Sequence, residues 1–119
     1  MGAAAAAMAV LCGCTTLASE PVVVVCQGAD TYTTIEGLER GGREVNPIVA
    51  GIIAAGGIAA FVATKVGVTL LILHYHADIS TGVLATANVV TCGVAAHNAK
   101  VLQKLPPKET TKGPDAAPR

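Results

Sequence analysis

Three ionisable residues in or beside apolar segments are the strongest candidates for chemistry in this sequence. Asp30 and Glu44 precede an apolar stretch at residues 48–73, and Lys65 lies alone inside that stretch. A charge inside such a segment is a candidate functional group, because an unpaired charge in a membrane is unfavourable. One interpretation is therefore a buried ion pair or a proton relay built from Asp30, Glu44 and Lys65. The preferred interpretation is that Lys65 extends its long side chain to an interface and Glu44 lies in a loop.

The other reactive side chains give weaker patterns. His74, His76 and Asp78 have a spacing that resembles a metal motif, but a helix would turn His76 away from the other two. We therefore expect no metal site and no cofactor, and an interfacial helix end is the preferred interpretation. The sequence has no Gly-x-Ser-x-Gly motif and no phosphate-binding loop, so we expect no enzyme.

The four cysteines are scattered along the chain. We expect from them neither a disulfide framework nor a zinc site. They are Cys12, Cys14, Cys26 and Cys92.

The composition is typical of a small membrane protein. Of the 119 residues, 52% are hydrophobic and 13% are charged, with one Phe and no Trp. Ala, Val, Gly, Ile and Leu make up the apolar part, and small side chains of this kind allow membrane helices to pack closely. The formal net charge is zero, which gives no sign of nucleic acid as a partner. The expected partners are membrane lipid and other copies or components of a larger membrane complex.

The N-terminal residues 1–18 are a signal peptide or an uncleaved apolar helix. The apolar part is short for a membrane span and suits a signal-peptide core. It ends in Leu11-Cys12-Gly13-Cys14, which resembles the lipobox of bacterial lipoproteins. The resemblance implies cleavage before Cys14 and acylation of its thiol, which would anchor the N-terminus in lipid.

The rest of the chain predicts a helical membrane domain at residues 19–104 and a disordered polar tail at 105–119. Pro21 begins a helix that Gly41 and Gly42 end, and Asn46 with Pro47 begins the next. Residues 48–73 and 79–102 should then form an antiparallel hairpin, because the polar tip between them is short.

Two patterns predict how these helices pack. Small residues recur every fourth position in the first hairpin helix, which predicts a ridge that faces another helix. This small-residue ridge consists of Gly51, Ala55, Ala59, Ala63 and Gly67. Polar residues spaced by seven, three and seven in the second helix predict a stripe that faces protein rather than lipid. This polar stripe consists of Thr81, Asn88, Thr91 and Asn98.

The polar residues together resemble an uncharacterised family of small bacterial membrane proteins. The resemblance extends over about residues 22–98 and rests on an Asp…Thr…Gly…Glu-x-Asn-Pro pattern followed by a lysine in an apolar helix. It implies an all-α, three-helix transmembrane bundle, but it implies no activity. The positions that it marks as polar intramembrane candidates are Asp30, Thr34, Glu44, Asn46 and Lys65.

These observations leave three functional hypotheses open. The first is a small bacterial inner-membrane protein of unknown activity that acts through helix–helix interaction. The second is a holin-like pore-former, and the third is an ion or proton site built from Asp30, Glu44 and Lys65.

The distribution of basic residues predicts the orientation of the chain. Lys and Arg flank the hairpin at both ends and are missing from its tip at residues 74–78. The positive-inside rule therefore places both ends in the cytoplasm and the tip outside. An acylated Cys14 on the outer surface then requires residues 21–40 to cross the membrane. That crossing would bury Asp30 and make Lys65 its nearest cationic partner.

Overall fold

The structure is a computed structural model that describes residues 15–108. It contains three long helices, α1 (Glu20–Glu39), α2 (Pro47–His74) and α3 (Thr81–Leu102), and a short 3₁₀ helix at His76–Asp78. Residues 15–17 are also helical, and residues 15–108 contain no strand. The predicted all-α fold is therefore confirmed. The proposed lipidation site Cys14 and the end of the predicted tail lie outside the described residues.

The helix ends follow from local chemistry, as the sequence predicted. Pro21 lies in the first turn of α1, and the chain leaves α1 through Gly41, whose φ is 85°. That conformation lets the backbone N–H of Gly42 donate to the carbonyl of Gly37 at 2.8 Å. At the start of α2, Asn46 Oδ1 accepts from the N–H of Ile48 at 3.0 Å.

The second helix is kinked, which corrects the predicted uninterrupted helix over residues 48–73. Gly57 has φ 74° and ψ −171°, a conformation that essentially only glycine adopts. The kink changes the direction of the helix between Gly51 and Ala59. It therefore also interrupts the small-residue ridge that the sequence predicted along this helix.

We expect Gly57→Ala to lower the free energy of unfolding by about 1–3 kcal/mol, because a Cβ disfavours this backbone conformation. Gly67→Ala is the matched control, since Gly67 is helical and a Cβ there would have no neighbour within 4 Å. Unfolding followed by circular dichroism measures both variants. Equal stability of the two variants would contradict the kink.

The first helix is the centre of the bundle. It packs extensively against α3 and less extensively against α2, whereas α2 and α3 make few contacts with each other. The contact between α2 and α3 in the predicted hairpin is therefore small, although Ile72 of α2 packs against the buried cluster that contains Leu84 and Ala85 of α3. The physical reason is that α1 supplies both the acceptors for Lys65 of α2 and the hydroxyls that bind α3.

The contacts of α1 with α3 show that the two helices run parallel. The contacts advance in the same direction along both segments: Leu17, just before α1, bonds to Asn88, then Cys26 to Cys92, and then Thr33 to Asn98. Lys108 then reaches Glu36 and Glu39 at the end of α1. The C-terminal ends of α1 and α3 therefore lie together, at the end of the bundle where α2 begins.

The small-residue ridge does not face another helix of the described chain. All five of its residues are exposed, which corrects the sequence prediction. Instead, Lys65 of α2 contacts α1, and Phe61, one turn earlier on the same face, is the buried residue of this helix. The recurrence of small residues at every fourth position indicated a surface of small side chains, but it could not show what packs against that surface.

The polar stripe of α3 faces α1 through its asparagines. Asn88 is buried and its Nδ2 donates to the carbonyl of Leu17 at 2.6 Å, and Asn98 Nδ2 donates to Thr33 Oγ1 at 3.3 Å. Thr81 is exposed, and the hydroxyl of Thr91 donates to the carbonyl of Ala87 in its own helix. A threonine satisfies its hydroxyl within its own helix in this way, whereas an amide requires partners elsewhere.

Candidate functional site

The candidate site is an ion pair between α1 and α2. Lys65 Nζ donates to Asp30 Oδ2 at 2.8 Å and to Gln27 Oε1 at 2.6 Å. The side chains of Lys65 and Asp30 are 18% and 16% exposed, so most of the pair is shielded by the bundle. Gln27 and Asp30 are three residues apart on a helix and therefore share a face. The Asp30–Lys65 pair that the orientation argument required is present.

Gln27 completes this site and was missed by the sequence analysis. Its side chain is buried, and its amide oxygen accepts from the Lys65 ammonium. The available signal was its position one helical turn before Asp30. Two oxygen acceptors on one face hold the ammonium, which has three donors, in a defined position.

An open groove lies beside the lysine of this ion pair. It has a volume of about 450 Å³ and lies between α1 and α2, with Gln27 and Lys65 on its wall. The rest of its lining is largely apolar, with Val24, Ile35 and Leu70 among its residues. Among the described residues that line the groove, Lys65 is the charged one, so the groove borders the ammonium of the pair.

The other three polar candidates from the sequence lie away from this pair. Thr34 Oγ1 accepts from Asn98 Nδ2 at 3.4 Å, between α1 and α3. Glu44 Oε1 accepts from the backbone N–H of Asn46 at 2.9 Å, in the loop before α2. Within residues 15–108, Glu44 makes no ion pair with Lys65, so the three-residue site predicted from the sequence is reduced to Asp30 and Lys65.

A disulfide joins α1 to α3, contrary to the expectation from the scattered cysteines. Cys26 and Cys92 are bonded, with their Cα atoms 4.7 Å apart, and Cys26 is fully buried. The sequence contained one signal: Cys92 follows Asn88 by four residues and so shares the face that packs on α1. Because Cys26 is one turn before Asp30, the disulfide joins α1 to α3 close to the ion pair.

A hydrogen bond from a histidine fixes the position of the tip at residues 74–78. His76 Nε2 donates to the carbonyl of Ala18 at 2.7 Å, and its Nδ1 lies 3.9 Å from Glu20 Oε1. In the part of the chain that the structure describes, no group of three His, Cys, Asp or Glu side chains is placed to hold a metal. The contact of His76 therefore joins the tip to the segment before α1.

The fold and site define an all-α bundle with a shielded ion pair and a disulfide between its helices. Residues 22–103 match the family described as Domain of unknown function (DUF5658), and the chain belongs to that family. No curated protein and no solved structure matches the chain. The uncharacterised family expected from the Asp…Glu-x-Asn-Pro…Lys pattern is thus confirmed as a family without an assigned activity.

Proposed function

We propose that this protein is a small integral protein of the bacterial inner membrane that acts through helix–helix association. The observation that supports this proposal is the exposure of α2. This helix has 28 residues and a mean hydropathy of 2.0 in its most apolar window, yet 6% of that window is buried. A core helix of a water-soluble protein would be mostly buried, and so large an exposed apolar surface implies lipid or a partner.

The length of α2 is also suited to a bilayer. A span requires about 20 apolar residues, and α2 is the one helix within residues 15–108 that is long and apolar enough. Its charged residue Lys65 faces α1, whereas Val66, Leu70 and Leu71 are exposed. Polar side chains on the inside and aliphatic side chains on the outside are the arrangement that lipid favours.

The threonines of the bundle support the same environment. Their hydroxyls donate to the carbonyl four residues earlier in the same helix, which satisfies them without water. This holds for Thr31, Thr33, Thr64, Thr69, Thr86 and Thr91. In addition, the described residues contain no buried side-chain nitrogen or oxygen without a hydrogen-bond partner.

The part of the small-residue ridge that follows the kink, Ala59, Ala63 and Gly67, is exposed and is the surface that we propose for association. Small side chains allow two helices to approach closely within a bilayer, where dispersion contacts drive packing. The proposed partner is a second copy of the protein or a helix of a larger membrane complex.

Ala59→Leu tests association, with Ala87→Leu on the exposed surface of α3 as the matched control. The full chain, labelled with a donor or an acceptor dye, is reconstituted in vesicles and energy transfer between copies is measured. We expect Ala59→Leu to weaken association by about 1–3 kcal/mol, a factor of about 5–150, because the larger side chain separates the backbones. Equal energy transfer in the two variants would exclude self-association through this ridge.

A second candidate function is an ion or proton site at Asp30 and Lys65, with Gln27 in place of Glu44. The observation that favours it is that Lys65, which binds Asp30, lies with Gln27 on the wall of an open groove. Vesicles that contain the protein and a pH-sensitive dye would report proton flux, and Asp30→Asn should abolish it. Release of a large enclosed dye would instead support the holin-like pore, and no flux of either kind would leave association as the function.

The lipid anchor at Cys14 belongs to the same proposal for localisation. It is supported by the resemblance of Leu11-Cys12-Gly13-Cys14 to a lipobox. Metabolic labelling with a palmitate analogue should mark the wild-type chain in a bacterial host, and Cys14→Ser should remove the label.

We expect reporters fused after residue 43 to lie in the cytoplasm and reporters after residue 77 to lie outside. Arg40, Arg43, Lys104 and Lys108 are at the end of the bundle where α1 and α3 finish, and Lys108 binds Glu39 there. The opposite end at His76–Asp78 has no Lys or Arg. Phosphatase and fluorescent-protein reporters at both positions would measure this orientation, and a periplasmic residue 43 would contradict it.

A further inference from the structure

A cavity at the basic end of the bundle gathers polar residues that the ion pair leaves unused. It has a volume of about 370 Å³ and lies between the end of α1, the loop that leads to α2, and the end of α3. Thr34, Glu44 and Asn46 line it, and these are three of the polar positions that the sequence pattern marks. His97 and Asn98 complete the wall, although they are 40 or more positions away from these residues in the chain.

The charges that line this cavity are one cation and one anion. Arg43 and Glu44 are both on its wall, and among residues 15–108 neither forms an ion pair with another side chain. The acidic residues beside it are already paired, Glu36 with Arg40 at 3.2 Å and Glu39 with Lys108. The cavity therefore offers complementary sites to a ligand that carries both a negative and a positive group.

The remaining lining supplies hydrogen bonds and an apolar wall. Asn98 donates to Thr33 and Thr34 with one nitrogen at 3.3 and 3.4 Å, long contacts that leave the amide able to reach a stronger acceptor. Leu38, Val101 and Leu105 form the apolar side. Val45, on the rim, is 91% exposed, which places an aliphatic side chain beside the opening. A polar head with an apolar chain attached matches this lining.

We propose that this cavity binds the zwitterionic headgroup of a phospholipid with a primary amine, such as phosphatidylethanolamine. Arg43 and Asn98 bind the phosphate, since guanidinium and amide donors suit its oxygens. Glu44 binds the ammonium, and its hydrogen bond to the Asn46 backbone holds the carboxylate in place. The apolar side of the cavity contacts the start of the acyl chains. This inference rests on the membrane location proposed above.

The test uses delipidated full chain in detergent, offered equal amounts of phosphatidylethanolamine and phosphatidylglycerol, with bound lipids counted by native mass spectrometry. We expect about tenfold preference for phosphatidylethanolamine, the effect of one charge-assisted hydrogen bond. Glu44→Gln should remove the preference, and Arg43→Gln should weaken binding of both lipids. Glu39→Gln and Arg40→Gln are matched controls, because they make the same changes next to the cavity but not on its wall.

Several results would overturn the proposal. These are equal binding of the two lipids by the wild type, or an effect of Glu44→Gln no larger than that of Glu39→Gln. Free O-phosphoethanolamine that binds as tightly as the lipid would show a soluble phosphate compound as the occupant and would also overturn it.

Flotation with vesicles, measured on the same preparations, separates this proposal from the membrane location. A chain that floats without headgroup preference refutes the cavity proposal and leaves the membrane proposal standing. A chain that does not float refutes the membrane proposal, and with it the lipid as occupant.

Discussion

Asp30→Leu should lower the free energy of unfolding by about 3–5 kcal/mol, because it leaves a shielded Lys65 ammonium without its carboxylate. Lys65 Nζ and Asp30 Oδ2 are 2.8 Å apart, and each side chain is less than one-fifth exposed. The remaining acceptor, Gln27 Oε1, carries no charge and compensates the ammonium only in part. Unfolding of the full chain in mixed micelles, followed by circular dichroism, gives the change in stability.

Two controls make the result specific to the pair. Asp78→Leu removes an exposed carboxylate at the tip and should change stability by about 0.5 kcal/mol or less. Asp30→Leu combined with Lys65→Met should recover most of the loss, since replacing both charges with apolar groups is often neutral. If Asp30→Leu is as stable as Asp78→Leu, the pair does not hold α1 and α2 together.

The same variants separate a structural role from a functional one. A double variant that is stable and still active in the vesicle assays would assign the pair to folding. A double variant that is stable but has lost proton flux would assign it to the ion or proton site. The distinction matters because an ionisable residue inside a membrane is a candidate functional group, and the proposed location would place the pair there.

Cys92→Ala should lower the free energy of unfolding by about 2–5 kcal/mol through loss of the disulfide to Cys26. The two cysteines are 66 positions apart, so the bond closes a long loop and restricts the unfolded chain strongly. It also joins the two helices that pack most extensively, α1 and α3. Unfolding with and without reductant measures its contribution.

The double variant Cys26→Ala/Cys92→Ala is the control for this prediction. It should be about as stable as Cys92→Ala, because the two residues act through one bond. Reductant should destabilise the wild type and leave the double variant unchanged. A wild type that is insensitive to reductant under conditions that reduce the bond would contradict a stabilising disulfide. Its formation in cells also requires an oxidising compartment.

The positions of the helix ends were determined by short-range chemistry and could be predicted from the sequence. Pro21, Gly41 and Asn46 act within one turn of their own positions, through a fixed φ, a left-handed conformation and a capping hydrogen bond. The Asp30–Lys65 pair was also predictable, because a lone charge in an apolar helix requires a partner of opposite charge.

The arrangement around these elements was decided by the tertiary structure. Whether α2 presents Phe61 or the small-residue ridge to α1 depends on its rotation about its axis, and apolar residues surround this helix on all sides. Lys65 was the one charged residue of this helix that could orient it, but the predicted ion pair was not combined with the predicted ridge. The kink at Gly57 could likewise not be predicted from the local sequence, because many glycines in helices keep the helical conformation.

The pairing of distant residues likewise required the fold. Cys26 with Cys92, Gln27 with Lys65, and Glu44 with the cavity rather than with the ion pair all depend on α1 being central. A short connection between α2 and α3 indicated that they are neighbours in the chain, but it placed no constraint on which helix each packs against. Local sequence determined where each helix begins and ends, whereas side-chain complementarity across α1 decided which helices meet.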